Sequence, residues 1–280
     1  TGIFNIWEEG ELKQLPLSQC RVQAVDPLSE GPAELLSDMV STGLTHEEAR
    51  REAGLAGIEA YVSRLAVKVI PTLSPHPQFG SGTVSPREFV GVGAGETVAE
   101  GVLRGLQTCL NRELKERVAA RKPVVTPVQL DAVEDDHSLY YLQALTTMQN
   151  APIIGLGEEV FGFPVVWVGT EDRWFGSAGL NMTMALRKAL QHAIFRAQNQ
   201  ASDFTMPPLH SLEISSVDLV EKNPSNLTVP SYDGLSQQEI LRSALQVIER
   251  NHNQLLVMDL AVEPFLKEEL AVFGVLLRKG

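Results

Sequence analysis

The chain has 280 residues, 44% of them hydrophobic and 21% charged, and no apolar run approaches the roughly 18 residues that a membrane-spanning helix needs. Lys and Arg number 23 against 35 Asp and Glu, a net charge of −12 with a pI near 5.0, so the surface is expected to repel phosphate backbones and nonspecific nucleic-acid binding is not expected. Cys20 and Cys109 are the only cysteines, too few for a disulfide framework or a zinc knuckle, which points to a reducing cytoplasm. The opening TGIFNIWEEG has no basic n-region or apolar h-region and is not a signal peptide. Its start at Thr1 is expected for a domain cut from a longer protein.

Ile3, Phe4, Ile6 and Trp7, and then residues 20–25, alternate apolar with polar positions, predicting two half-buried strands about the turn-prone Glu9-Gly10. Thr45 with Glu48 three residues on reads as a capping box, and a helix is predicted over 45–66. Its Ala49, Ala53, Leu55, Ala56, Ile58, Ala60 and Val62 make a small, apolar face. Residues 67–70 read as a strand and 71–86 as a long proline-containing loop. Residues 89–92 read as a strand that runs through GVGAGE into a second helix over 97–120, capped by Thr97 and Glu100. Asp135 and Asp136 precede an apolar helix. Strands over 165–169 and 174–178 lead into a helix over 181–199, and a further helix is predicted over 236–249. Strands over 255–260 and 272–277, around a short helix at 264–270, close the chain. This irregular alternation predicts an α+β or mixed α/β fold with helices packed on antiparallel or mixed sheets. No composition shift marks a boundary, so residues 1–280 are expected to form a single domain.

GVGAGE between strand and helix invites a phosphate reading, because a helix N-terminus offers free backbone donors. Its glycines stand at 91, 93 and 95, not in the dinucleotide spacing; no Lys precedes Thr97, and Glu96 puts a negative charge where phosphate would sit. A tight turn is the better expectation. The six histidines have no partner at a repeated metal-ligand spacing. In Asp135-Asp136-His137 the acids are better read as helix caps than as ligands. Ser74-Pro75-His76-Pro77 has no nucleophile elbow. Cys20 and Cys109 read as small buried hydrophobes, Arg112 to Arg117 as a solvated, charge-laced helix face, and Trp167 and Trp174 as core.

Three helical segments taken together resemble the YcaO family. GAGETVAEGVLRGLQTCLNRE is similar to that family's helix carrying Gly-Leu-x-Glu-x-x-Glu-Arg, THEEARREAGLAGIEAY to its earlier Ser-x-x-x-Glu-x-x-Glu-Arg helix, and GLNMTMALRKALQHAIFRAQN to its later Ala-Leu-x-Glu-x-x-Gln helix. The resemblance spans residues 43–200. TGIFNIWEEGELKQLPLSQC further resembles the carboxy-terminal part of thiazole-containing bacteriocin maturation proteins, in which a ThiF-like region precedes. The resemblance implies a mixed α/β domain that uses ATP and magnesium to activate a backbone amide and close an azoline ring, with carboxylates holding the metals.

Residue by residue, the carry-over is incomplete. The first helix's Ser, Glu, Glu and Arg fall on Glu52, Ala56, Glu59 and Ala60. The second helix's Glu, Glu and Arg fall on Thr108, Asn111 and Arg112, with Glu100 and Gln107 as nearby substitutes. The third helix's Glu and Gln fall on His192 and Phe195. Glu59, Glu100 and Arg112 are therefore the candidate nucleotide-site residues, and the other matching positions lack the carboxylates that Mg-ATP requires. The expectation is a non-catalytic, cytoplasmic YcaO-like domain without catalytic residues, cofactor or bound metal. Its partners would be a precursor peptide or a cyclodehydratase, with a homo-oligomer expected and no nucleic acid or membrane. The alternatives are an active ATP- and Mg-dependent cyclodehydratase with relocated ligands and a plain oligomerisation module.

Overall fold

The computed structural model describes residues 2–32, 34–70, 74–79, 82–85, 87–200, 212–220, 224–261 and 269–280. In chain order, β1 (Phe4–Glu8), β2 (Ser18–Ala24) and β3 (Met39–Gly43) precede α1 (His46–Val69). Next come β4 (Gly91–Gly95), α2 (Val98–Ala120), β5 (Val124–Val133), α3 (Asp136–Met148) and β6 (Ile153–Leu156). β7 (Val165–Gly169), β8 (Trp174–Ala178), α4 (Met182–Gln198), β9 (Leu212–Ile214), β10 (Asp218–Leu219) and β11 (Ser225–Val229) follow. α5 (Gln237–Arg250), β12 (Asn253–Asp259) and β13 (Ala271–Lys279) complete the order. The α+β class expected from the sequence is the one observed.

Two compact units are interleaved along the chain. Unit 1 takes residues 1–12, 18–109 and 237–280, and unit 2 takes 13–17 and 110–236. No composition shift accompanies this division because the chain passes from one unit to the other inside α2, between Cys109 and Leu110, where a helical pattern simply continues.

Unit 1 holds two antiparallel three-stranded sheets, in the orders β1-β2-β3 and β12-β13-β4. Helix α1 packs on both. Its Ala49 and Ala53 meet Cys20 and Val22, while Leu55, Val62 and Ala66 join Val92, Ala94, Leu260 and Val272. This is the small, apolar face read from the sequence. Thr45 caps α1 by accepting the Glu48 N–H at 3.1 Å, and the Glu48 carboxylate accepts the Leu44 N–H at 2.7 Å. The helix runs through residues 67–69, where a strand was predicted. The Ile70 N–H still bonds the Ala66 carbonyl, so the β-branched residues here are carried by an established helix against their local preference. The short helix predicted at 264–270 falls mostly on residues 262–268, outside the described residues.

GVGAG is itself the strand β4, not the turn expected after a strand at 89–92. The glycines serve close packing: a Cβ at Gly93 would collide with the Gly101 carbonyl of α2, and one at Gly105 would come within 2.6 Å of Val275 on β13. Strand and helix therefore approach backbone to backbone, as only residues without side chains permit. Cys109, one turn further along α2, is buried and donates to the Val275 carbonyl at 3.1 Å. Burial pushes its thiol pKa up to about 12, which makes it an inert packing residue.

Unit 2 is a seven-stranded mixed sheet in the order β10-β5-β6-β7-β8-β9, with β11 also pairing β5. β10 and β11 run parallel to β5, and the other pairings are antiparallel. Trp167, Phe163, Phe175, Tyr141 and Leu190 are all fully buried, so Trp167 is core as expected, while Trp174 is half-buried. The buried Gln198 ties residues 13–17 to this unit: its Oε1 accepts the Leu17 N–H at 3.0 Å, and its Nε2 donates to the carbonyls of Lys13 and Leu17 at 2.6 and 2.8 Å.

Two measurements test this packing. Gly93→Ala should destabilise unit 1 by about 2 kcal/mol or more, the cost of overpacking against a backbone that cannot move aside, read from urea unfolding midpoints. His192 is buried edge-on to Phe175, 4.9 Å between ring centroids, and burial, with Arg196 adding to it, pushes its pKa down to about 4. The folded imidazole thus stays neutral where the unfolded one, near 6.5, takes up a proton. Stability linked to it is complete above pH 6.5 and is lost as pH falls toward 4, by about 3 kcal/mol. Denaturant titrations across that window should show the loss in the native chain and its absence in His192→Leu.

Candidate functional site

The residues with the strongest claim to chemistry lie in unit 1, where α1 and α2 face each other beside β4. Glu52 and Glu59 are seven positions apart and share one face of α1. Glu100 and Arg104 are four apart and share one face of α2. Arg104 forks into the first pair. Its Nε and Nη2 donate to the two oxygens of Glu59 at 2.6 and 3.2 Å, and its Nη1 donates to Glu52 at 2.7 Å. Glu59 also accepts the Ala94 N–H of β4 at 3.0 Å. The Glu59 side chain is 7% exposed and that of Arg104 19%. Burial works against the Arg104 charge, but the adjacent Glu59 and Glu52 outweigh it and hold the guanidinium firmly protonated.

A second fork continues the cluster outward. Arg51 Nη2 donates to both oxygens of Glu100 at 2.7 and 2.9 Å, its Nε donates to Glu96 at 3.2 Å, and Nη1 lies 3.7 Å from Glu52. Glu100 has a further task in the cap of α2: it accepts the Glu96 N–H at 2.9 Å while Thr97 accepts the Glu100 N–H at 3.1 Å. Four carboxylates and two guanidinium groups thus interlock, leaving two negative charges.

Glu59 and Glu100, two of the three residues singled out from the sequence, belong to this cluster. Arg112 lies about three turns further along α2, in the part assigned to unit 2, and pairs with Glu116 at 2.5 Å on a half-exposed face. His192 and Phe195 are buried residues of α4. Arg51 and Arg104, which sequence reasoning missed, organise the cluster. Their hydrogen-bonded acid partners lie 45 to 52 positions away, beyond any local motif. The available signal was the coincidence of Glu52/Glu59 and Glu100/Arg104 at same-face spacings.

Unit 2 carries a smaller cluster of the same kind. Asp135 is fully buried and caps α3 by accepting the Ser138 N–H at 2.9 Å, as predicted. It also accepts Arg187 Nε at 2.8 Å and the Nη2 of the same residue, and Nη2 reaches Asp233 at 2.9 Å as well. Burial alone would raise the Asp135 pKa. Arg187 and the Ser138 contacts reverse that and hold the carboxyl far below the ordinary range. His137 takes no part in this ion-pair cluster; its ring lies tilted beside Tyr141, 6.4 Å between centroids. Among the described residues, no group of three or more His, Cys, Asp and Glu is arranged to hold a metal ion.

No family model matches the sequence, and comparison with curated proteins finds no match. Solved structures do match the fold. YcaO from Methanopyrus kandleri bound with AMPPCP and Mg2+ superposes with a TM-score of 0.56 at 14% identity, covering 94% of this chain and 82% of that one. A heterocyclase in complex with substrate and cofactor gives a TM-score of 0.57 at 12% identity, covering 99% of this chain and 50% of that one. The chain therefore spans half the length of that heterocyclase. Its fold is YcaO-like.

The residues present do not fit a Mg-nucleotide at the carboxylate cluster. Both oxygens of Glu59 and of Glu100 accept guanidinium donors, so a magnesium ion at about 2.0–2.1 Å would have to displace positively charged groups already seated on its ligands. Unfolding free energies test how firmly the inner bridge is set. Arg104→Met, which strands the buried Glu59, should cost about 3–5 kcal/mol. Arg51→Gln, at a side chain 39% exposed, should cost about 1 kcal/mol or less. Equal effects would contradict the inner pair's role in joining α1 to α2.

Proposed function

We propose that this YcaO-like domain has no nucleotide chemistry of its own and takes part in thiazole and oxazole formation on a ribosomally made bacteriocin precursor. It acts through contacts with the precursor peptide or with the active cyclodehydratase. The fold supports a place in azoline-forming modification. The observation that carries the non-catalytic reading is the occupation of Glu59 and Glu100 by Arg104 and Arg51. A nucleotide would bring its phosphates toward two uncompensated negative charges, and a divalent cation would have to expel a tethered guanidinium to reach its ligands.

Calorimetric titration of the 280-residue chain with Mg-ATP should give no saturable heat. Glu59→Ala and Arg112→Ala should alter stability while leaving that baseline unchanged. Saturable micromolar binding overturns the reading, and phosphate release that depends on a Cys-rich peptide would establish the active cyclodehydratase in its place. Recovery of the precursor or the cyclodehydratase on the immobilised chain supports the partner role, and recovery of neither favours a plain oligomerisation module.

A further inference from the structure

Within unit 2, the carboxy-terminal end of α2 and the turn that joins β6 to β7 border an open cleft. Leu114, Val118, Val165 and the buried indole of Trp167 line it, and Arg117, Arg121 and Glu158 stand at its rim. Glu158 lies across the mouth, bonded to Arg121 Nη2 and 3.7 Å from Arg117 Nη1. Arg117 is held elsewhere as well, by Glu113 at 2.9 Å and the Glu159 carbonyl at 2.9 Å, and the neighbouring Lys122 pairs with Asp218 at 2.6 Å. Arg121 is the exchangeable cation: it and Glu158 are 64% and 65% exposed, and a pair so exposed is weak and easily opened.

We propose that this cleft binds a compact apolar carboxylate, the carboxy-terminal residue of a peptide, with Arg121 taking its carboxylate in place of Glu158. A guanidinium fork above an apolar recess matches an acid group joined to a short hydrocarbon side chain. The apolar lining is made by only a few side chains, which suits one residue and not a long acyl chain. Glu158 occupies the carboxylate position from within the chain. The inference does not depend on whether the domain binds nucleotide.

The test titrates the intact chain with N-acetyl-leucine, N-acetyl-leucinamide and decanoate, followed by amide NMR shifts. N-acetyl-leucine should bind saturably, and the uncharged amide at least about tenfold more weakly. Arg121→Gln should weaken N-acetyl-leucine at least about fivefold, whereas Glu158→Gln, which removes the internal competitor, should tighten it. Opposite responses at two members of one ion pair separate ligand exchange from a structural salt bridge, which would move neither. Thermal melts check that both exposed-site variants stay folded. Absence of saturable binding by the native chain and Glu158→Gln alike, equal binding of acid and amide, or weaker binding by Glu158→Gln overturns the site. Decanoate binding more tightly than N-acetyl-leucine overturns the peptide source.

Discussion

Glu59 carries a carboxylate into a place almost closed to water, between α1, β4 and the first half of α2. A charge so placed is untenable without a partner at hydrogen-bond distance, and the partner must come from an element able to approach that closely. Arg104 supplies it, but α2 reaches the position only because its own glycines, and those of β4, let the two backbones meet. The ion pair and the glycine-lined contact are therefore one constraint seen from two sides. A side chain at Gly91 or Gly93 would lift the helix away and strand Glu59, and a neutral residue at 104 would leave the same close packing around an unpaired charge.

A guanidinium solves this problem differently from a metal ion. It is covalently attached, brings one positive charge where a divalent cation brings two, and presents several donors in a planar fork that takes a carboxylate side-on. It needs no loading and does not leave. Such a cluster joins α1, α2 and β4 through groups that belong to the chain itself. At 12–14% identity to the structures it superposes on, the chain shares their architecture, and what its acidic cluster does is decided by the residues it holds. A fold of this kind does not carry chemistry with it.

Much of this architecture was legible where signals were local. Thr45 with Glu48 and Thr97 with Glu100 located the starts of α1 and α2, because a cap satisfies its donors within four residues. β7 and β8 were found at their true bounds from their apolar runs. The failures were non-local. Residues 67–69 look like strand taken alone, yet they extend a helix already nucleated and packed. GVGAG looks like a turn because its glycines report the proximity of α2, which no sequence window contains. β9, β10 and β11 are two to five residues long and owe their existence to the strands they pair with. For the site, Glu59 and Glu100 were visible as acids on helices, but the arginines that claim them come from the opposite helix.

The same device recurs in unit 2, where Arg187 holds the buried Asp135 and reaches out to Asp233. Both clusters place an arginine between an inner acid that fold geometry requires and an outer acid that faces solvent. Each inner pair withdraws equal charge of both signs from the surface, so the imbalance of −12 is borne by what remains outside. On such a surface an exposed arginine has many acids competing for it and is rarely left to a single weak partner. Arg121, set above an apolar recess with Glu158 across its mouth, differs from Arg104 and Arg187 in that respect. Its pair closes no helix contact and spans no buried carboxylate, so the energy that locks the other two arginines into the fold is absent there, and the carboxylate it holds is free to be exchanged.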